Sequence, residues 1–308
     1  MLRFALSRLL RAFVTIVLVI SFAFIVLRLS GDPAIEILSN NATKEQLDAF
    51  RAAWGLNDPL SVQFVRYVQA VFSGDLGKSM RDGRDAFTVV VERIPVTLLI
   101  TLPALLLNLL IGIPAGVYAA LHRNSLLDRA VMFGAVAGFT IPSYVFGLGL
   151  VLTFSVWLHW LPSGGSQSWM SGILPIITLG ANGAAVLARY TRSAMLEVLS
   201  HHYVRTASAK GVPWRQVVSH HALPNAAIPT VTIVGLMVGQ LIAGAVVVES
   251  IFSWPGIGRL LVGSVASRDL AVVQCLLFLV ALTMIVSNTI VDLIYGLLDP
   301  RITAGERQ

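Results

Sequence analysis

Several short stretches of this 308-residue chain carry side chains that can do chemistry. Ser73 to Ser79 reads SGDLGKS, close to the loop that cradles nucleotide phosphates with backbone N–H groups and a lysine. That loop needs a glycine five residues before its second glycine, and the residue here is Phe72. Nucleotide binding is not expected there, so no ATPase is expected in this chain. His201–His202 and His220–His221 offer imidazoles. Zinc-binding helices space their ligands at i and i+4 with a glutamate nearby, whereas adjacent histidines point to different helix faces. Contacts with a partner or with lipid headgroups are expected of them, and no metal. Ser163 and Ser166 have no His or Asp at a spacing that would activate a hydroxyl, so no catalytic residue is expected. Glu249 and Asp292 are acids at the edges of apolar runs. An acid at membrane depth can relay protons, but one near an interface more simply anchors a loop or a helix end.

The elements that must position these residues are apolar. The chain is 56% hydrophobic and only 12% charged, with a mean hydropathy of +0.79, against roughly 25% charged in soluble domains. This is the composition of an all-α polytopic membrane protein. Its net charge of +6 fits basic residues retained on one side of a bilayer better than nucleic-acid binding, for which no soluble basic domain exists. The single cysteine, Cys275, excludes an intrachain disulfide and reads as a small buried hydrophobe.

A membrane helix needs about 20 apolar residues. Six segments qualify, at about 10–30, 95–121, 130–160, 172–195, 226–250 and 270–298. Arginines gather before the first span, in the 2–3 loop LHRNSLLDR, between spans four and five, and in the tail at Arg301 and Arg307. Six spans put all of these on one side, and the positive-inside rule then makes both termini cytoplasmic. The 1–2 loop, 31–94, falls outside. Two amphipathic helices are predicted within it, Lys44 to Trp54 and Pro59 to Phe72, ended by Gly55 and Gly74. Asn108, Asn182, Gln240, Gln274 and Asn288 are neutral polar residues inside spans. Asn108, Asn182, Gln240 and Asn288 are candidates for a translocation path, with interhelical hydrogen bonding as the competing role. Asp32, Asp75 and Glu249 are candidates for an outer gate or loop anchor.

Between spans four and five the apolar pattern is interrupted by YVRTASAKGVPWRQVVSHHALPNA, Tyr203 to Ala226. Helical spacing runs from Leu196 to Lys210, Gly211 is a natural stop, and Pro213 suits the start of a helix from Trp214 to Ala222 that Pro224 ends. The expected element, within 196–225, is a sharp cytoplasmic two-helix knuckle. It suits a groove on another protein, where it would pass on a rigid-body push. A surface-lying amphipathic hairpin without a partner is the alternative.

This stretch resembles the EAA loop of ABC importer permeases, in which Glu-Ala-Ala is followed after three residues by Gly and after nine more by Ile-x-Leu-Pro. Ala207, Gly211, Leu223 and Pro224 match at the family spacing, while Arg205, Thr206 and His221 stand where the pattern has its Glu, first Ala and Ile. Gly31-Asp32-Pro33, Gly74-Asp75-Leu76-Gly77, ESIFSWPGIGRLL from Glu249, and DLIYGLLDPRI from Asp292 resemble the dipeptide, oligopeptide and nickel permeases in the same order. The resemblance spans nearly the whole chain. It implies a type I importer permease: a single transmembrane domain over 1–308 that pairs with a second homologous permease. Two cytoplasmic ABC ATPases would use ATP and Mg, and an extracytoplasmic binding protein would deliver substrate. Tyr203, Arg205, Thr206, Ala207, Lys210, Gly211, His221, Leu223 and Pro224 would couple the ATPases to the spans, and the permease would work by alternating access in the cytoplasmic membrane. Short peptides are the expected cargo, with nickel chelate, glutathione or haem as alternatives on the same machinery. An ion-coupled secondary transporter using Glu249 or Asp292 is the reading from another class.

Overall fold

The protein is described by a computed structural model covering residues 2–29, 31–38 and 42–298, with side chains at 2–9, 240, 242 and 290–298 left aside. Gln240, Asp292 and the DLIYGLLDPRI stretch therefore fall outside the described side chains, and Arg301 and Arg307 outside the described residues altogether. Among the described residues every regular element is helical, apart from an isolated bridge between Lys78 and Asp85. Among these residues five helices are long and apolar enough to cross a membrane: Leu10–Leu29, Ala86–Leu121, Trp169–Ser200, Trp214–Gly239 and Leu270–Thr289.

The expected span at 130–160 has a different form. It is a pair, Leu126–Thr140 and Ser143–Trp157, that meets at 102°. Counting the pair as one span gives six. Pro142 causes the break. Its ring disfavours the helical conformation in the preceding residue, and Ile141 is extended at φ −74°, ψ 119°. The second arm then starts on Pro142 as its N-terminal flank.

The residues gather into two compact units, 1–97 with 255–285 and 98–254 with 286–308. In the first, both amphipathic helices predicted in the 31–94 segment are present, as Lys44–Ala53 and Leu60–Phe72. Thr43 closes a capping box, its hydroxyl accepting from the Gln46 N–H while the Gln46 side chain accepts from the Thr43 N–H. SGDLGKS is a clip between helices. Gly74 and Gly77 take φ near +81° and +82°, a conformation that favours glycine, and the Ser79 hydroxyl donates to Asp269 at 2.5 Å. The 5–6 connection holds a helix, Ile257–Ala266. Beyond it Val272, Cys275 and Leu276 pack against Ala86, Val89 and Val90 of the helix Ala86–Val91.

The second unit is built on Ile173–Ser200, whose inward face is lined with small and medium residues. Gly116 permits a close approach of two helices: a Cβ there would lie 2.5 Å from the Ala188 carbonyl oxygen and 2.7 Å from Thr191 Cβ. Where no water competes, such close packing is a main source of helix association. An ion pair joins Leu126–Thr140 to Ile173–Ser200. Both guanidinium nitrogens Nε and Nη2 of Arg192 donate to the carboxylate of Asp128, at 2.6 and 2.7 Å.

Candidate functional site

Helix Ile173–Ser200 ends at His201, which turns extended, and the chain starts again as His202–Ala209. At Gly211 φ is +81°, and its N–H donates to the Ser208 carbonyl at 3.0 Å while Val212 N–H reaches back to Ala207. This is a glycine-closed helix end. Pro213 flanks the next turn, Trp214–Gln216. The sequence thus specifies the knuckle through one left-handed glycine and one proline.

The second half of the knuckle departs from expectation. Pro224 was expected to end the helix, yet the chain runs through a π turn, Val217–Ala222, directly into Leu223–Ile251. A helical proline clashes with the carbonyl four residues back, and a wider turn relieves the crowding. Pro224 therefore sits in the first turn of the following span and does not terminate its predecessor. The Leu223 N–H bonds to Val218, five residues back, and Asn225 Nδ2 caps the His221 carbonyl at 2.7 Å. The same device precedes Pro114, where the π turn Asn108–Gly112 interrupts the second span.

The knuckle has two faces. Val204, Val217, Val218 and Ala222 are buried against Ala120, Met195 and Val198, which welds it to the spans before and after. Tyr203, Arg205, Thr206, Lys210, His221 and Pro224 are exposed, Ala207 and Leu223 half-buried, and Trp214 is exposed with them. The His201 ring stacks on Tyr203 at 5.7 Å. A rigid base with a basic, aromatic outer face is suited to receive force from a docked partner. No group of three or more metal-ligating side chains occurs among the described residues. The welding valines carried a legible sign, apolar spacing along an otherwise polar stretch.

Asn108 and Asn182 come together. They line a small cavity of about 100 Å³ with Ser143, Thr178, Gly183 and Met237. Asn108 is fully buried, and neither its amide nitrogen nor its oxygen has a hydrogen-bond partner. Gly183 leaves room for that amide, since a Cβ there would overlap it. Asn182 Nδ2 donates to the Gly138 carbonyl at 2.9 Å. Asn288 is exposed and does not line this cavity.

Two of the three candidate anchors, Asp32 and Asp75, accept hydrogen bonds from backbone N–H groups. Asp32 accepts from the Ala34 N–H at 2.9 Å and from Arg51 Nε at 2.7 Å, tying Pro33–Leu38 to the next helix. Asp75 accepts from the Gly77 N–H at 2.9 Å. Glu249 is fully buried with a bonding partner, one turn before the Phe252 carbonyl that receives the Gly165 N–H. Asp85 caps the helix Ala86–Val91. The Thr88 backbone N–H and then the Thr88 hydroxyl, both donating to it, hold its carboxyl below the usual range.

Residues 112–304 match the binding-protein-dependent transport system inner membrane component family, and residues 1–101 match the N-terminal region of such membrane components. The chain is 43% identical over 303 residues to the glutathione transport system permease protein GsiC of Salmonella typhimurium (strain LT2), covering 98% of this chain and 99% of that one. Against the protein of the same name from Escherichia coli (strain K12) the identity is 42% with the same coverage. Among solved structures, the inward-facing MetNI methionine ABC transporter aligns at a TM-score of 0.58 and 19% identity, over 68% of this chain and 96% of that one. An amino acid ABC transporter with histidines aligns at 0.50 and 16%, over 68% and 97%. These two share the fold. The chain belongs to the binding-protein-dependent transport system inner membrane components: it is a multi-pass inner-membrane permease subunit of an ABC importer of the peptide and nickel type, acting with ATPase and substrate-binding partners and not itself an enzyme.

Proposed function

We propose that this permease imports short amide-linked peptides, with glutathione the first member to test. The observation that carries the reading is the Asn108 amide, buried in the cavity with both polar atoms unpartnered. A primary amide offers one donor and one acceptor side, the complement of a peptide bond. The relatives named for glutathione transport support the same cargo class. Tyr203, Arg205, Thr206, Ala207, Lys210, Gly211, His221, Leu223 and Pro224 couple the chain to two cytoplasmic ATPases, which alone hold ATP and Mg. A second homologous permease completes the pathway, and an extracytoplasmic binding protein loads it at the 31–94 segment, with both termini cytoplasmic. Asp32, Asp75 and Glu249 anchor the loops that frame the outer opening.

Gentle solubilisation followed by mass spectrometry is expected to recover a second permease and an ATPase with this chain. The assembled complex in vesicles, given its binding protein and ATP, is expected to take up glutathione or dialanine. Recovery of this chain alone, together with uptake driven by a proton gradient without ATP, would overturn the reading.

Asn108→Leu separates the cavity's two roles. Removing two unpartnered buried polar atoms is expected to raise folding stability by about 1–3 kcal/mol, the penalty such groups carry. Uptake is expected to fall in the same variant, because the peptide bond loses its complement. A thermal melt and an uptake assay on one preparation check both. Falling stability would mean that the amide is bonded in the folded chain.

A further inference from the structure

The first unit contains a separate cleft of about 230 Å³, lined by Arg28, Trp54, Gln63, Tyr67 and Lys78 among others. Two of its lining groups carry buried polar atoms without hydrogen-bond partners: Nε of Arg28, a donor, and Oε1 of Gln63, an acceptor. Orphaned atoms of this kind are uncommon in folded proteins and point to a missing partner. Both groups are held in place. The Arg28 guanidinium lies over the Phe24 ring, 5.5 Å from its centroid, and Phe24 stacks on Tyr67 at 5.9 Å. Gln63 Nε2 donates to the carbonyls of Asp58 at 2.7 Å and Leu56 at 3.2 Å, which leaves its oxygen for the cleft. Asp75 also lines the cleft, and its carboxylate accepts from the Gly77 N–H.

We propose that this cleft binds the carboxyl end of a short peptide, with the carboxylate on the Arg28 guanidinium, the last amide N–H on Gln63 Oε1, and the terminal side chain against Trp54 and Tyr67. The chemistry narrows the ligand. A bare anion would satisfy Arg28 and leave Gln63 without a donor. A cation would satisfy Gln63 but face Arg28 and Lys78. The last residue of a peptide offers an anionic acceptor and a neutral donor two bonds from its carboxyl carbon. Burial raises the Tyr67 phenol well above its ordinary range, so it stays neutral and can donate as well. The inference deepens the peptide-cargo reading by adding a holding station that selects a free carboxyl terminus.

The test uses the full chain, with the partner subunits it retains, in phosphatidylcholine nanodiscs. Calorimetry with alanylalanine is expected to show binding, and alanylalaninamide is expected to bind at least about tenfold more weakly, as loss of a charge-assisted hydrogen bond requires. Arg28→Met is expected to weaken alanylalanine to a similar degree, and Arg28→Lys, which keeps the charge on a conservative side chain, by less. Equal binding of the two peptides, or of alanylalanine to parent and Arg28→Met, overturns the proposal. So does abolition of binding in phosphatidylethanolamine nanodiscs, which would assign the cleft to a lipid headgroup. If ATP-driven peptide uptake fails while carboxylate-dependent binding persists, the cleft stands and the cargo reading falls. If uptake proceeds and Arg28→Met changes neither binding nor uptake, the cargo reading stands and the cleft falls.

Discussion

Gly211→Asn is expected to leave the permease folded and inserted while cutting ATP-driven uptake at least about tenfold, the effect of losing roughly 1.4 kcal/mol of coupling free energy. The position separates two effects that a glycine substitution usually mixes. Gly211 has φ +81°, where an ordinary L-residue is strained by roughly 1–2 kcal/mol and Asn is among the few that tolerate it. Nothing in the chain lies within 4 Å of a Cβ built there. A side chain at 211 therefore costs the isolated permease little and projects from the exposed end of the knuckle. A loss of transport then reports the steric demand of whatever docks on that end. Basal ATP hydrolysis by the partner subunits should persist, because the catalytic machinery is theirs. The checks are uptake and ATPase rates in one reconstituted preparation, with the melting temperature as a control for folding. Unchanged uptake in a well-folded Gly211→Asn variant would remove the knuckle from the coupling path. Uptake lost in step with stability would reduce its effect to backbone strain.

The knuckle was largely legible because its instructions are local. A glycine that must be left-handed, a proline that starts a turn and valines at helical spacing all act within a few residues of themselves. The amphipathic helices at Lys44–Ala53 and Leu60–Phe72 were legible for the same reason. What escaped was what depends on neighbours. Pro224 carries the same ring in a terminated helix as in one relieved by a π turn; in the turn that forms, Val217, Val218 and Ala222 pack in one cluster with Met195 and Val198. The 102° break at Pro142 is of this kind: proline announces a boundary, but not the angle at which the chain continues. Helix Ile257–Ala266 falls between the expected fifth and sixth spans, and at ten residues it is too short to register as a span. Of the polar span residues, Asn108 and Asn182 share a cavity and Asn288 does not. Seventy-four residues of sequence separate the first two, and no periodicity reports that distance.

Asp128 is the sharpest instance, and it sets the second large expected effect. In the sequence it is one acid in LHRNSLLDR, a stretch notable for its arginines. In the fold it is almost fully buried, with 3% of its surface exposed, and both carboxylate oxygens are engaged. Arg192 donates to each, and the Asn124 N–H adds a third bond at 2.9 Å. Asn124 itself takes φ 67°, so the carboxylate also steadies a turn in the left-handed region. Asp128→Ala strands the guanidinium against a mostly buried face of Ile173–Ser200 and frees a backbone donor. Breaking a buried pair from one side costs about 3–5 kcal/mol, which corresponds to a melting temperature lower by roughly 10 °C for a chain of this size. The double variant Asp128→Leu with Arg192→Met is expected to recover most of that loss, since well-packed apolar residues often replace a buried pair without penalty. Arg192 lies two turns before the end of the helix that leads into the knuckle, so the double variant also asks what the pair is for. Recovery of stability together with uptake would make it a fold-specifying clamp. Recovery of stability without uptake would mean that transport requires the joint between Leu126–Thr140 and Ile173–Ser200 beyond its contribution to the fold.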